Sequence, residues 1–539
     1  MLIDKCLASI GSRCENSGII PPVTIVVPIY GDLPTLTSCV ESLKHNVDLK
    51  RNSVLLVNDC GPDASAIEAG LLVQIKDWDS IQYARNDRNI GFIGTCNRAV
   101  MELDTTDNDI LLLNSDTVTT PGFLEELSAV LHLSPLHGIV CPRSNNAVIA
   151  SFPHSQRDPS TARDFARAAE VHAALSATIR RYSVSPIVHG FCMLIRREVI
   201  AKHGLFDEVF APGYCEEYDF CMRVNEFGYS SIIANRAIVF HAGSCSFVGA
   251  TRRALLSAHD RLLRHRYPFL LKAVEAYLFL DRDPVDAFAD ALVPADKVRR
   301  VLVDIDAIPA AGLPDDTSAL LAALQEASDP ARLVVSVSTP DDQQDNIAAR
   351  YASLRVIRQS RLDGLWDVAV ASGDMISLTQ LIRLNRVSPR WVFTITGIGD
   401  VRTWRTRAAN SSIKALLQDA IGHADGVIAL RSGLAAELES YAGGAIPLLP
   451  SSIVELSAVG PDRIVQEVVE RYGRSAIDIE RLRARWDYFA RMRSYEGYPE
   501  DESFIRRLVR RAEYAAPRAV SYAKDVVRKF RRSRLEQGT

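Results

Sequence analysis

Ile110-Leu111-Leu112-Leu113-Asn114-Ser115-Asp116 sets an unbroken aliphatic run against a polar, turn-forming end. A strand exposed on one face would alternate, so this run reads as a strand covered on both. Two earlier segments repeat the arrangement. Thr24-Ile25-Val26-Val27 ends at Pro28, and Val54-Leu55-Leu56-Val57 ends at Asn58-Asp59-Cys60-Gly61. Between them Leu36, Val40 and Leu43 recur with helical period. Such strands, separated by helices, predict a mostly parallel sheet with helices on both faces. Ligands of these sheets bind beyond the carboxyl ends of the strands, where the polar clusters stand.

At 539 residues the chain is too long for one core. The first α/β rhythm spans 22–253, behind an amino-terminal extension at 1–21. A helical connector is expected over 254–298. Near Arg299 a second rhythm begins with Val301-Leu302-Val303-Asp304 and Leu333-Val334-Val335-Ser336-Val337. It continues through Val368-Ala369-Val370, Trp391–Ile395 and Gly426–Ala429, to about 455. Residues 456–539 read as helical, interrupted at Pro499 and Pro517. All ten cysteines lie between Cys6 and Cys245, so the second rhythm has none, which supports a boundary near 290–298. None forms a C-x-x-C pair, which excludes metal-ribbon and thioredoxin-like readings. Scattered thiols suit a reducing cytosol. No apolar run approaches bilayer length, and the first residues lack an apolar export core. A cytoplasmic protein is expected.

The net charge of -4 carries no nucleic-acid signature. Charge is nevertheless uneven. Between Arg506 and Arg534 eleven Lys/Arg face two acids, leaving that stretch at +9 and the remainder at -13. Basic and apolar residues alternate there at helical spacing, as in Phe504–Arg511 and Val526–Arg532. Two readings stay open. One is a helix lying on anionic lipid, peripheral on the inner face of the cytoplasmic membrane. The other is a solvated basic helix packed on the acidic body. No aromatic or Gly-rich motif accompanies the charges, so nucleic acid is not an expected partner.

Asp116 at a strand end can hold a divalent cation, Mn or Mg, through hard oxygen ligands, and the cation would neutralise a diphosphate leaving group. Taken alone, Asn114-Ser115-Asp116 equally makes a turn and a helix cap, and Pro121 suits the first turn of a helix. Glu216-Glu217-Tyr218-Asp219 opens a helical segment, where acids gain from the macrodipole. The flanking Gly213-Tyr214 and Phe220-Cys221 make it a poor solvent face. An acid there can deprotonate an attacking hydroxyl. His241 ends the apolar run Ala237–Phe240 and alone reads as a structural histidine.

Order and spacing add more. Val23–Phe247 resembles the family 2 glycosyltransferases, which have the GT-A fold. The matching residues begin with Val26-Val27-Pro28-Ile29-Tyr30-Gly31-Asp32 and Asn58-Asp59. Arg85-Asn86, Asn89-Ile90-Gly91-Phe92, Asn97 and the Asp-x-Asp-like Asn114-Ser115-Asp116 follow. Then come Gly190-Phe191-Cys192-Met193, Arg196-Arg197, Gly204–Glu208, Glu216–Arg223, Gly228-Tyr229 and His241. The resemblance implies an inverting, metal-dependent hexosyl- or rhamnosyltransferase, taking a nucleotide-diphosphate sugar to a glycan or lipid-linked acceptor. Bacterial surface polysaccharide or O-antigen (lipopolysaccharide) synthesis is the setting it implies. Pro28, Tyr30, Asp32 and Asp59 would hold the nucleotide base. Arg85 and Asn89 would approach the donor, and Asn97 would open the following helix. Asp116 would bind the metal, with Asn114 helping. Gly190 and Glu216 would line the substrate site, Glu217 would be the base, and His241 a further metal or phosphate contact. Two departures stand out. Asn114 replaces the first acid of Asp-x-Asp, and Glu217 stands where Asp is usual, leaving Asp219 as competitor for the base role.

Residues 299–450 more faintly resemble the N-terminal lobe of family 4 (GT-B) glycosyltransferases, through Val301–Ile305, Trp366-Asp367-Val368, Trp391–Thr396 and His423–Ser432. Thr396-Gly397 stands where a histidine-aspartate pair is common, and no second Rossmann-like lobe follows. A silent domain used for packing, acceptor positioning or assembly is expected. The alternative for the whole chain is a non-catalytic nucleotide-sugar-binding or scaffold protein of a polysaccharide assembly complex. Sugar-nucleotide synthesis is disfavoured, since Pro28–Asp32 offers no Gly-rich triphosphate loop.

Overall fold

The computed structural model describes residues 20–153, 165–243, 250–278, 282–293, 298–306, 308, 312–313, 315–362, 364–372, 377–395, 424–429, 453–455, 468–469 and 477–493. The extension up to residue 19, His423, Leu430–Ser432, Thr396-Gly397 and the basic stretch Arg506–Arg534 lie outside the described residues. The chain divides into two compact units, Met1–Asp487 and Tyr488–Thr539. Both sheets belong to the first.

The amino-terminal half is built on a nine-stranded mixed sheet. Its first strands and helices alternate: β1 (Val23–Ile29), α1 (Leu33–Asn46), β2 (Ser53–Asn58), α2 (Ala64–Ile75), β3 (Ile81–Arg85), α3 (Gly91–Arg98) and β4 (Asp109–Leu113). Then follow β5 (Thr117–Thr119), α4 (Phe123–His132), β6 (His137–Arg143), α5 (Phe165–Leu175), β7 (Tyr182–Ser185), β8 (Cys192–Ile195), α6 (Arg197–His203), α7 (Glu216–Glu226), β9 (Ser230–His241) and α8 (Ala250–Arg266). The order is β3-β2-β1-β4-β8-β6-β9-β5, with β7 also on β9. β1 runs parallel to β2 and β4, pairing Val26 with Leu55 and Leu112. The aliphatic runs that mark these strands are buried throughout, as strands between two helical layers must be. β4 pairs β8 antiparallel. Past β4 the sheet is mixed.

Two local expectations change. Pro121 lies outside a helix, because the short strand β5 intervenes and α4 begins at Phe123 behind Gly122, whose φ of 75° is left-handed. β5 has few residues, and its place on β9 comes from tertiary pairing rather than apolar length. Asn97 sits near the end of α3 and does not open it. That helix starts at Gly91, whose φ of +80° makes the entry turn.

The second sheet has seven parallel strands: β10 (Arg299–Ile305), β11 (Leu333–Thr339), β12 (Arg355–Arg358), β13 (Val368–Ser372), β14 (Trp391–Ile395), β15 (Gly426–Ala429) and β16 (Ile453–Glu455). Their order, β12-β11-β10-β13-β14-β15-β16, is that of a doubly wound Rossmann-like sheet. A buried ionic seam joins the first sheet's lobe to the following segment 282–293. Arg143 at the end of β6 donates from Nη2 to Asp286 Oδ2 and from Nε to Asn235 Oδ1, both at 2.8 Å. Arg282 Nε donates to the same Asp286 oxygen at 2.8 Å. Arg483, on the helix Ile479–Arg493, reaches both Asp283 and the Thr178 carbonyl. Among the described residues no helix is long and apolar enough to cross a membrane.

Removing Arg143 leaves Asp286 still paired to Arg282 but takes away two buried charge-assisted hydrogen bonds, those to Asp286 and Asn235, and their loss is costly. Arg143→Met should lower unfolding stability by about 3 kcal/mol, read as a shift of the urea midpoint, although Met fills much of the same space.

Candidate functional site

The carboxyl ends of β1, β2 and β3 are drawn together by backbone bonds, Asp59 N to Ile29 O at 2.7 Å and Asn86 N to Asn58 O at 2.9 Å. Gly61 completes the approach. A Cβ there would lie 1.8 Å from the Tyr30 carbonyl oxygen, so a side chain is excluded. Tyr30 is exposed and Pro28 half-buried beside this junction. Asp32 caps α1, accepting from Thr35 N from a left-handed conformation. Arg85 donates to Glu68 at 2.7 Å, and Asn89 closes its own turn by accepting from Gly91 N at 3.0 Å.

Asp59 and Asn97 have framework bonds that their sequence context does not announce. Asp59 is buried, with Oδ1 accepting from Asn86 Nδ2 and Ile90 N and Oδ2 from Gly91 N, all within 2.9 Å. It therefore shapes the 86–91 loop. Asn97 exchanges two hydrogen bonds with the Phe206 backbone, tying α3 to the loop before α7.

The opposite wall is assembled from the β4–β8 junction. Asn114 N–H donates to the Phe191 carbonyl at 2.8 Å, and its own carbonyl accepts from Thr117 Oγ1. Antiparallel pairing of Thr117 with His241 then brings Asp116 beside His241. Asp116 Oδ1 and His241 Nε2 stand 3.4 Å apart. His241 Nδ1 donates to the Asn146 carbonyl at 2.8 Å, which leaves Nε2 facing Asp116, to which it donates when the ring is protonated. Asn145 brackets the His241 backbone, accepting from its N and donating to its O. Burial lowers the His241 pKa, but the Asp116 hydrogen bond and charge outweigh it and the net shift is upward. A carboxylate oxygen and an imidazole nitrogen facing each other suit a shared divalent cation. Among the described residues no third His, Cys, Asp or Glu completes a cluster.

α7 supplies the acids. Gly190 lies against Glu217, since a Cβ at 190 would meet Glu217 Cβ and Cγ at 3.4 Å. Burial raises the Glu217 pKa to about 7 against opposing backbone hydrogen bonds, including one from Gly190. Glu216 is pushed well up by burial and then by the Glu217 charge, and its Oε2 is buried without a hydrogen-bond partner. Asp219 differs. Fully buried, it accepts from Arg266 Nη1 at 2.7 Å and Tyr267 OH at 3.2 Å, with Arg223 Nε at 3.5 Å. A structural ion-pair network holds it.

Residues 24–204 match glycosyl transferase family 2. The matched segment, about a third of the chain, takes in β1 to β8 and Asn114–Asp116 and stops before α7 and His241. The lobe that carries it has the GT-A fold. No curated protein matches the sequence. Among solved structures, GalNAc-T7 with UDP, GalNAc and Mn2+ is 14% identical over 46% of this chain and 51% of its own, TM-score 0.35. The mannosyltransferase PcManGT from Pyrobaculum calidifontis, with GDP-Man and Mn2+, is 14% identical over 50% and 79%, TM-score 0.32. S. aureus TarS 1-349 is 11% identical over 49% and 77%, TM-score 0.31. This chain spans about half the length of the first.

Two contributors escape a motif reading of the family 2 segment. His189 and the Asn145-Asn146 pair lie in loops without a strong residue pattern, and sheet pairing brings them to the site. A raised carboxyl pKa also has a stability consequence. The unfolded chain ionises Glu217 first, so the stability is fully present below about 4.5 and falls as pH rises toward about 7. Glu217→Gln should therefore stabilise the protein by on the order of 2 kcal/mol near pH 8 and hardly at all near pH 4, as read from denaturation midpoints at the two pH values.

Proposed function

We propose that the chain is an inverting, metal-dependent glycosyltransferase that moves a sugar from a nucleoside diphosphate to a glycan or lipid-linked acceptor. The observation carrying this is the convergence of the Asp116–His241 pair and a desolvated Glu217, hydrogen-bonded to backbone and without an ion-pair partner among the described residues, at the β4–β8 junction. Pro28, Tyr30, Asp32 and the loop shaped by Asp59 border the nucleotide side, with Arg85 and Asn89 on the same rim. Mn2+ or Mg2+ held by Asp116 and His241 would neutralise the leaving diphosphate, with Asn114 bracing the strand end. Glu217 takes the proton from the acceptor hydroxyl as its oxygen bonds to C1, and the C1–O bond to diphosphate breaks with the electron pair leaving on phosphate. One base suffices, without a covalent enzyme intermediate. Asp219, committed to Arg266 and Tyr267, leaves that role to Glu217. Surface polysaccharide or O-antigen assembly at the cytoplasmic face of a membrane is the setting that family resemblance favours.

A non-catalytic nucleotide-sugar-binding scaffold is the second reading, favoured by Asn114 in place of an acid. Transfer and donor-hydrolysis assays on a nucleotide-sugar panel, beside calorimetry with nucleoside diphosphate and Mn2+, separate the two. Folded protein that neither binds nor turns over sinks both; binding without turnover selects the scaffold.

Asp116→Ala should abolish metal-dependent nucleotide binding in calorimetry. Glu217→Gln should leave binding within about twofold and reduce kcat by at least about a hundredfold; retained turnover would move the base elsewhere. Because the base must be ionised, wild-type kcat/KM should climb with pH through about 7 and level off above it, and a flat profile would exclude Glu217.

A further inference from the structure

Between Glu217 and the Asp116–His241 pair lies His189, which the chemistry above leaves without a part. On one side its neighbour Gly190 contacts the Glu217 side chain. On the other, the His189 ring centroid is 6.1 Å from that of His241 and 5.7 Å from that of Phe191. Phe191 stacks on His241 at 5.2 Å, so the three rings form one wall. The Phe191 N–H donates to His189 Nδ1 at 3.4 Å. An imidazole whose Nδ1 accepts carries its proton on Nε2. Among the described residues no acceptor meets that Nε2–H, and the half-buried residue leaves room for one.

With Nδ1 accepting from Phe191 N–H, the ring presents its remaining N–H at Nε2. A diphosphate at Asp116 and His241 and an acceptor hydroxyl at Glu217 fix what must lie between them. C1 is bonded to the first and attacked by the second, so the sugar ring occupies the interval beside His189. An N–H donor there suits a hydroxyl of that ring. A site that hydrogen-bonds a substrate hydroxyl strongly rejects the analogue lacking it, because its own donor is then left unpaired.

We propose that His189 determines donor-sugar specificity by donating its Nε2–H to a hydroxyl of the transferred sugar, so that a sugar deoxygenated at that position is disfavoured. This rests on the transferase reading. Calorimetry on the full chain with Mn2+ tests it, using UDP, GDP and dTDP and their glucose, mannose and rhamnose conjugates as probes. His189→Phe keeps an aromatic ring in the wall and removes the donor. Its affinity for the bare nucleoside diphosphate should stay within about twofold, while affinity for the preferred sugar conjugate drops on the order of tenfold. His189→Gln, which restores an N–H at a shifted position, should recover part of the loss and alter the ranking of the sugars. Equal loss for diphosphate and conjugate, or no change in either, would overturn the assignment while leaving the transferase reading intact. Wild-type protein that binds no nucleotide would overturn both.

Discussion

The site depends on β4 having a parallel neighbour on one side and an antiparallel neighbour on the other. Parallel pairing with β1 aligns the end of β4 with the ends of β1 and β2, on the rim where nucleotides bind in wound sheets. Antiparallel pairing with β8 does something a parallel strand could not. It sets the start of β8 opposite the end of β4, so Asn114 bonds to Phe191 and the 189–191 loop faces Asn114–Asp116. β9 then closes the arrangement. It runs parallel to β6 and antiparallel to β5, and its last residue arrives beside Asp116.

The acids of α7 show how one helical turn can hold opposite electrostatic solutions. Asp219 is buried with two guanidinium groups and a phenol around it, so the cost of taking its charge out of water is offset. Glu216 is buried and Glu217 half-buried without such partners, and desolvation raises both. Acid–base chemistry is run by carboxyls whose environments hold them near neutrality, while a fully paired carboxylate is too weak a base to help. Gly190 permits this, since its missing side chain lets Glu217 pack against the β8 approach.

Much of this was legible in the residues. The aliphatic runs Thr24–Val27, Val54–Val57 and Ile110–Leu113 became strands, because burial on both faces imposes that composition, and the helix of Leu36, Val40 and Leu43 is present as α1 with those residues buried. What was not legible arises from pairing between distant segments. β5 is three residues long and is a strand because β9 lies next to it. Asn97 and Asp59 have the right residue types for polar contacts, yet their bonds go to backbone that only the folded chain brings near. His189 carries no motif. Its position follows from the β4–β8 register.

The lobe built on the first sheet does not end where its composition changes. Composition changes near residue 253 and again near 298, but the contacts run across both. The compact unit extends from Met1 to Asp487. Arg143, Asn235 and Phe152 of the first sheet's lobe are buried against Asp286, Val285 and Ala289 of the following segment. Arg167 adds a pair with Asp290. Cutting the chain at 253 would strip Arg143 of its counter-charge while leaving it among apolar neighbours, where an uncompensated guanidinium is costly. Phe288, Leu365, Leu482 and Trp486 form a further core shared by the connector, the second sheet's lobe and the helix Ile479–Arg493. The second sheet's lobe thus packs on the connector that pairs with Arg143 of β6, Arg143 in turn bonds Asn235 of β9, and β9 carries His241. The second lobe's physical contribution to the site is to back the connector that Arg143 and Asn235 pack against.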